Sequence, residues 1–431
     1  MKLKVFFHTF VGLLYFGVLC GAVQRVQAED WPTFRGADRT GIAPDTGLLD
    51  EWPAEGPKLL WAADGAGRGY ASPAISGNRL FTLGDGPSTA GDADEYLTCF
   101  DLATGKQLWK TKTGEPWNNG RTSWQGSRAT PTVDGDRVYV MTPFGKLYCA
   151  KTSNGEVLWS KDLKGDLGGK KKDVWGYSES PLIDGSTLVC TPGGPKNTVV
   201  GLDKMSGDLV WSCARPDDVG AGHSCVVIAN VGGKKIYVQN TGGGPMGIDA
   251  ATGELLWDYD MSPPTAFIPT PIIQGDYVFS VAGYKLGAAL LKQVATSAGG
   301  VEVEEIYAPK TELGNKHGGV VEVDGKIYGG YEDQNIVYCA DMLSGEVLWK
   351  ERGSGSRSTS VVVADGKLFV RYQNGVVALA KLDPSGFSEI SSFKTPGSGD
   401  GDKPSWAHPV IVDGKLYLRE GDQVLCYQVA K

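Results

Sequence analysis

Arg128, Glu179, His223, His317, Arg357, Trp406 and His408 are the residues of this chain whose types could do chemistry together. They are far apart in sequence, yet each stands at or just before the start of a short, strand-like apolar pattern. Three of the four histidines are in the set, and Tyr70 and Lys316 occupy comparable places. An arginine fork can clamp a carboxylate or phosphate, a tryptophan can stack on a sugar or quinone ring, and a neutral histidine can both donate and accept. Two longer stretches lead into such strands. Residues 115–128 contain Arg121 and Trp124, and residues 164–178 contain Trp175 and Tyr177. Polar and aromatic groups converging on one mouth make a binding site. No catalytic residue is assigned, because a general base needs a partner and a substrate pose.

The elements that must position these residues follow from an internal repeat. Asp101, Gly105 and Trp109 recur with the same spacing as Asp203, Gly207, Trp211, as Asp249, Gly253, Trp257 and as Asp341, Gly345, Trp349. A further copy has Gly155 and Trp159 with Lys151 in place of the Asp. Alternating apolar residues before the Asp read as a half-buried strand. The Asp with Ser or Thr before Gly forms a hairpin loop, and the run to Trp is the return strand. A second pattern precedes each copy, as in Ser72–Phe81 and Thr130–Tyr139, with a Gly turn between two apolar runs. It recurs near Ser180, Thr270, Gly318, Thr359 and His408, and more loosely from Ser224 to Ile236.

Joined, the two patterns make a four-stranded unit of roughly 40–50 residues, the period of a propeller blade. Eight first-hairpin copies predict an all-β, eight-bladed β-propeller. The fifth unit lacks the Trp and uses Val301–Tyr307 in its outer strands; the seventh carries Pro384-Ser385-Gly386 at its turn. The last unit supplies three strands, and Lys58-Leu-Leu-Trp61 is the expected fourth, closing the ring by pairing the termini. The rival count is seven blades with a loose N-terminal arm.

Cys99, Cys149, Cys339 and Cys426 share one repeat position, held elsewhere by Gly201, Gly247 and Ala378. Equivalent positions in different blades are out of disulfide reach, so these thiols read as small core residues. Cys190, Cys213 and Cys225 remain, with a Cys213–Cys225 bond across adjacent blades as an alternative. No spacing matches a zinc site. Asp92, Asp94 and Glu95, like Asp400 and Asp402, lack the pattern of a calcium loop and read as solvated. The Lys170-Lys171-Lys172 run reads the same way.

Residues 1–28 have a basic start, an apolar run and Val26-Gln27-Ala28, the layout of a signal peptide cleaved before Glu29. A retained anchor is the rival reading, and bulky Leu19 before Cys20 argues against lipid attachment there. Residues 29–431 then form a single propeller, expected in the periplasm or outside the cell as a monomer with no membrane-spanning segment. Cleavage removes Lys2, Lys4 and Arg25 and no acid, taking the net charge from −8 to −11. So acidic a chain excludes nucleic acid as a partner.

The repeat resembles the pyrroloquinoline quinone (PQQ)-like repeat family, whose blades carry an Asp-x-x-x-Gly-x-x-x-Trp docking motif. The leader Asp30-Trp-Pro-Thr-Phe-Arg-Gly36 through Trp61 looks like the closing segment of secreted members. Two kinds of relative bear on function. The propeller subunit of the outer-membrane β-barrel assembly machinery is similar in length and works without cofactor. The quinoprotein alcohol dehydrogenases hold PQQ and calcium at the ring centre, and many have adjacent cysteines. This chain has no Cys-Cys pair and no recognisable set of their calcium ligands. The resemblance therefore implies a non-catalytic exported scaffold without cofactor that binds a protein, peptide or glycan at the mouth or blade edges. The alternative is a PQQ-dependent dehydrogenase.

Overall fold

The computed structural model describes Met1 and residues 30–86, 94–118, 124–398 and 403–431. The expected leader with Cys20 and its cleavage point lies outside these residues, as do Asp92, Arg121, Asp400 and Asp402. The described strands form eight sheets of four antiparallel strands each, an eight-bladed propeller. The first-hairpin turns behave as their sequence demands. Gly135, between Thr132–Asp134 and Arg137–Met141, has φ +58° in an open turn, a conformation that costs glycine little.

The ring closes as the termini predict. Leu59–Asp64 pairs antiparallel with Gln423–Gln428 and completes the sheet begun by Val410–Val412 and Lys415–Glu420. Arg419, buried in that last blade, reaches across the seam. It donates to the carbonyls of Ala66, Gly67, Ala71 and Leu83 and to Thr82 Oγ1. One side chain thus pairs backbone groups of the first blade that no strand partner covers.

The Asp–Gly–Trp motif docks each blade onto the next. Trp109 lies over Gly155 of the following blade, where an added Cβ would come within 2.5 Å of the ring. Trp159 covers Gly207, Trp211 covers Gly253 and Trp61 covers Gly105 in the same way. The indole N–H then donates across the gap, Trp109 to the Thr152 carbonyl, Trp159 to Lys204 and Trp349 to Asp383, each at 3.1 Å. In the fifth blade Tyr307 takes the place of Trp. Its ring packs on Gly345 and its hydroxyl donates to the Met342 carbonyl at 2.9 Å. All seven described cysteines are buried and free, Cys213 and Cys225 included.

Two expectations of solvated charge fail, at Glu95 and at the lysine run. Glu95 is buried, its carboxyl accepting from Thr113 Oγ1 at 2.9 Å and from Ser127 Oγ. Lys171 is buried, with Nζ donating to the Gly222 carbonyl, and Lys172 donates to the Gly242 and Pro263 carbonyls. Charge in sequence hid two cations that pin the long 164–178 crossing onto the fourth blade.

Candidate functional site

Every blade sends one side chain to a common mouth. Tyr70, Arg128, Ser178, His223, Ile268, His317, Arg357 and Trp406 occupy the same position, two residues before the conserved Ser, Thr or its equivalent at the inner strand. They line one cavity of about 490 Å³, within the range of small-molecule pockets. Side chains alternate along an extended chain, so the position two further on also faces inward. Ser180, Cys225, Thr270, Gly319 and His408 form that deeper tier.

This alternation settles where the sequence-derived candidates stand. Arg128, His223, His317, Arg357, Trp406 and His408 all line the cavity; Glu179 does not. Glu179 lies one residue past the rim position and points back into the wall. Its carboxyl accepts from Thr191 N at 2.8 Å, Thr191 Oγ1 at 3.1 Å and Gln239 Nε2 at 3.3 Å. Burial pushes it up to about 7, against the pull of Thr191 and Arg39. The parity of the strand, visible in sequence, would have selected Ser178 instead.

The bore is blocked below. Residues 31–43 cross it, bridging Trp31 to Ile75 and Ile42 to Val363. Arg39 donates to the Ser180 and Pro181 carbonyls at 2.8 and 2.6 Å, and Arg35 to those of Thr40 and Val320 at 2.7 and 2.5 Å. Phe34 packs on His408 with centroids 4.7 Å apart, and Phe34 and Arg35 form part of the cavity lining. The mouth is therefore a cup. Sequence reasoning quoted this leader for ring closure and missed its place in the site; an Arg and a Phe in a loop carry no signal of their destination.

Two rim histidines differ in their surroundings. His223 Nε2 lies 2.9 Å from Asp173 Oδ2, and Nδ1 lies 2.6 Å from Ser178 Oγ. Burial and the cations Lys171 and Arg128 hold His223 down at about 4, despite Asp173. Burial would raise the Asp173 carboxyl, but His223, Lys171 and the Trp175 N–H outweigh it and keep it ionised. Nε2 then carries the proton, Nδ1 accepts, and Ser178 donates its only proton to it. The Ser178 oxygen is left as an acceptor at the cup wall. Among the described residues His317 has no carboxylate partner. Nδ1 lies 3.2 Å from Ser358 Oγ, and its ring packs tilted against Trp406, with centroids 4.3 Å apart.

Aromatic rings and cations dominate the rest. Trp124 contacts Trp175 edge-on at 5.6 Å and stacks near Trp406 at 6.5 Å. Arg128 lies over Tyr70 and donates to the Gly126 and Trp124 carbonyls at 2.9 and 2.5 Å. Asp333 is the single carboxylate among the described lining residues, 3.5 Å from Lys316 and 3.7 Å from Arg357. Trp124, Tyr284 and Arg357 hold φ of 62°, 61° and 63°, a left-handed strain found at ligand clamps. Among the described residues no three His, Cys, Asp or Glu are grouped to hold a metal.

Fold and repeat together define a PQQ-like repeat β-propeller. The family profile described as outer membrane protein assembly factor BamB matches residues 93–351, and the chain belongs to that family. The assembly factor BamB of Burkholderia pseudomallei is 24% identical over 387 residues, 86% of this chain and 90% of that protein. Among solved structures, BamB from Moraxella catarrhalis superposes with a TM-score of 0.59 at 15% identity, over 86% of this chain and 97% of that one. A europium-containing methanol dehydrogenase reaches 0.66 at 12% identity, over 90% and 89%. At such identities the solved structures speak for the fold alone.

Proposed function

We propose that this chain is an exported binding scaffold whose ligand, a protein segment, peptide or glycan unit, enters the cup at the channel mouth. The observation that carries this reading is the blind cup itself: one cavity, lined from all eight blades by side chains that differ from blade to blade, with Phe34 and Arg35 at its base. Relatives named as outer membrane protein assembly factors support a scaffold acting outside the cytoplasm. The leader over residues 1–28, ahead of a propeller over 29–431, fits that location. No helix among the described residues is long and apolar enough to cross a membrane. The chain acts as a monomer, and no cofactor is assigned.

A PQQ-dependent dehydrogenase is the second reading, and it draws on the shared fold. A calcium ion beside the quinone needs several oxygen ligands, whereas the one carboxylate among the described lining residues, Asp333, is already held by Lys316 and Arg357. The residues do not fit that pair. Titration of the purified protein with PQQ and calcium, read by tryptophan fluorescence, distinguishes the two. The scaffold reading expects no saturable, calcium-dependent response, and expects that Trp406→Ala removes binding of a ligand found on peptide and glycan arrays. A saturable response strengthened by calcium reverses the order.

A further inference from the structure

The chemistry of the cup is more specific than a generic pocket. Among the described lining residues, Arg35, Arg128, Lys316 and Arg357 stand against the single carboxylate of Asp333, so an occupant finds excess positive charge there. The Lys171–Asp173 pair behind the wall, 3.8 Å apart, does not alter that balance. Flat rings surround the cations: Tyr70, Trp124, Trp175, Tyr284 and Trp406. Acceptors are present too. Ser178 offers only lone pairs, because its proton is committed to His223.

At the base of the cup, two buried atoms of the described lining residues have no hydrogen-bond partner, Arg35 Nη1 and His408 Nδ1. Both side chains converge on Gly319, where an added Cβ would lie 2.7 Å from Arg35 Nη1 and 3.9 Å from His408 Cε1. His408 makes a hydrogen bond to the His317 backbone, which leaves Nδ1 as a bare acceptor. A free donor and a free acceptor facing the same glycine match a hydroxyl, which can accept and donate at once. Cations for an acid group, rings for a pyranose face, and paired donors and acceptors for hydroxyls describe one class of molecule.

We propose that the cup receives an anionic saccharide, a sugar unit bearing a carboxylate or sulfate. Its acid group lies against Lys316, Arg357 and Arg128, and its ring face against the Trp124–Trp406 wall. The proposal rests on the reading of the mouth as the ligand site.

The test is calorimetric titration of the full chain with trigalacturonic acid, its neutral methyl ester, and a sulfated galactose disaccharide. The ester keeps ring and hydroxyls and removes only charge. Saturable binding of an acidic sugar at least tenfold tighter than its neutral counterpart, weakened by salt, supports the proposal. The two acidic probes separate a carboxylate source from a sulfate source. Lys316→Gln with Arg357→Gln, both partly exposed side chains, should weaken the acidic sugar about tenfold and leave the ester unchanged. Equal binding of ester and acid overturns the charge argument, and no binding of either acidic probe overturns the proposal. Binding of an acidic sugar that Trp406→Ala leaves intact overturns the cup as its site. PQQ or peptide binding that Trp406→Ala abolishes, with no sugar bound, keeps the cup and removes the saccharide.

Discussion

The outer belt of the ring and the cup at its mouth are both built from repeated positions, and they treat repetition in opposite ways. In the belt the same pair recurs at Trp109, Trp159 and Tyr307, a ring from one blade over a glycine of the next with the indole or phenol bonded to a backbone carbonyl, and Trp349 keeps the carbonyl bond. In the cup the equivalent rim position holds Tyr70, Arg128, Ser178, His223, Ile268, His317, Arg357 and Trp406, six residue types over eight blades, with only Arg and His appearing twice. Identical surroundings demand identical side chains, because each blade–blade seam poses the same packing problem. At the mouth the eight positions face a shared cavity and not each other's copies. Packing there leaves the residue type open, and ligand chemistry can fill it.

Four measurements break or sharpen that contrast, in descending order of expected effect on stability. Trp349→Ala in the belt removes a buried ring and its bond to Asp383, and should lower unfolding stability by about 3–5 kcal/mol. Denaturant melts check it, and a loss below about 1 kcal/mol would mean that the belt does not hold the blades. Gly155→Ala places a methyl group against the Trp109 ring at φ +75°. Left-handed strain and overpacking together should cost about 2–4 kcal/mol.

Glu179→Gln tests the wall of the cup through pH. The folded carboxyl is raised by burial to about 7 from its ordinary value of 4.5, so the folded state binds more protons than the unfolded one between those values. Wild-type stability should therefore be complete below pH 4.5 and decline as pH rises through about 7. The Gln variant should lack this slope and match or exceed wild type at pH 8, by about 2 kcal/mol. Parallel pH profiles for the two proteins would place an ionised Glu179 in the fold. Trp406→Ala, at the partly exposed rim, should shift the melt by about 1 kcal/mol or less and act on ligand binding instead. A loss as large as that of Trp349→Ala would make the rim a structural element like the belt.

Blade number, strand order and the closing strand near Trp61 were legible in the chain, because a repeat states its local rules many times over. Tyr307 was less so: it does the work of the missing Trp through a ring and a donor of another chemical type. Six of the seven candidate residues meet in one cavity, since each enters its blade at the same point. Glu179 stands apart because residue type was weighed there without strand parity. The lysine run misled for a related reason. Charged groups in a row suggest solvent, and only the fold supplies the carbonyls of Gly222, Gly242 and Pro263 that receive Lys171 and Lys172.

By itself, then, the sequence determined what is periodic: turns, strands, the Asp–Gly–Trp seams and the ring they close. Those features depend on contacts between neighbouring units, and neighbours in the ring are neighbours in the chain. Tertiary structure alone decided what depends on the axis. Phe34 and Arg35 blind the bore, Arg419 staples the last blade to the first, and Asp173 reaches His223 so that Ser178 faces the cup as an acceptor. The physical reason is geometric. Points on opposite sides of a closed ring come together only when the last blade meets the first, and no local spacing along the chain records that distance.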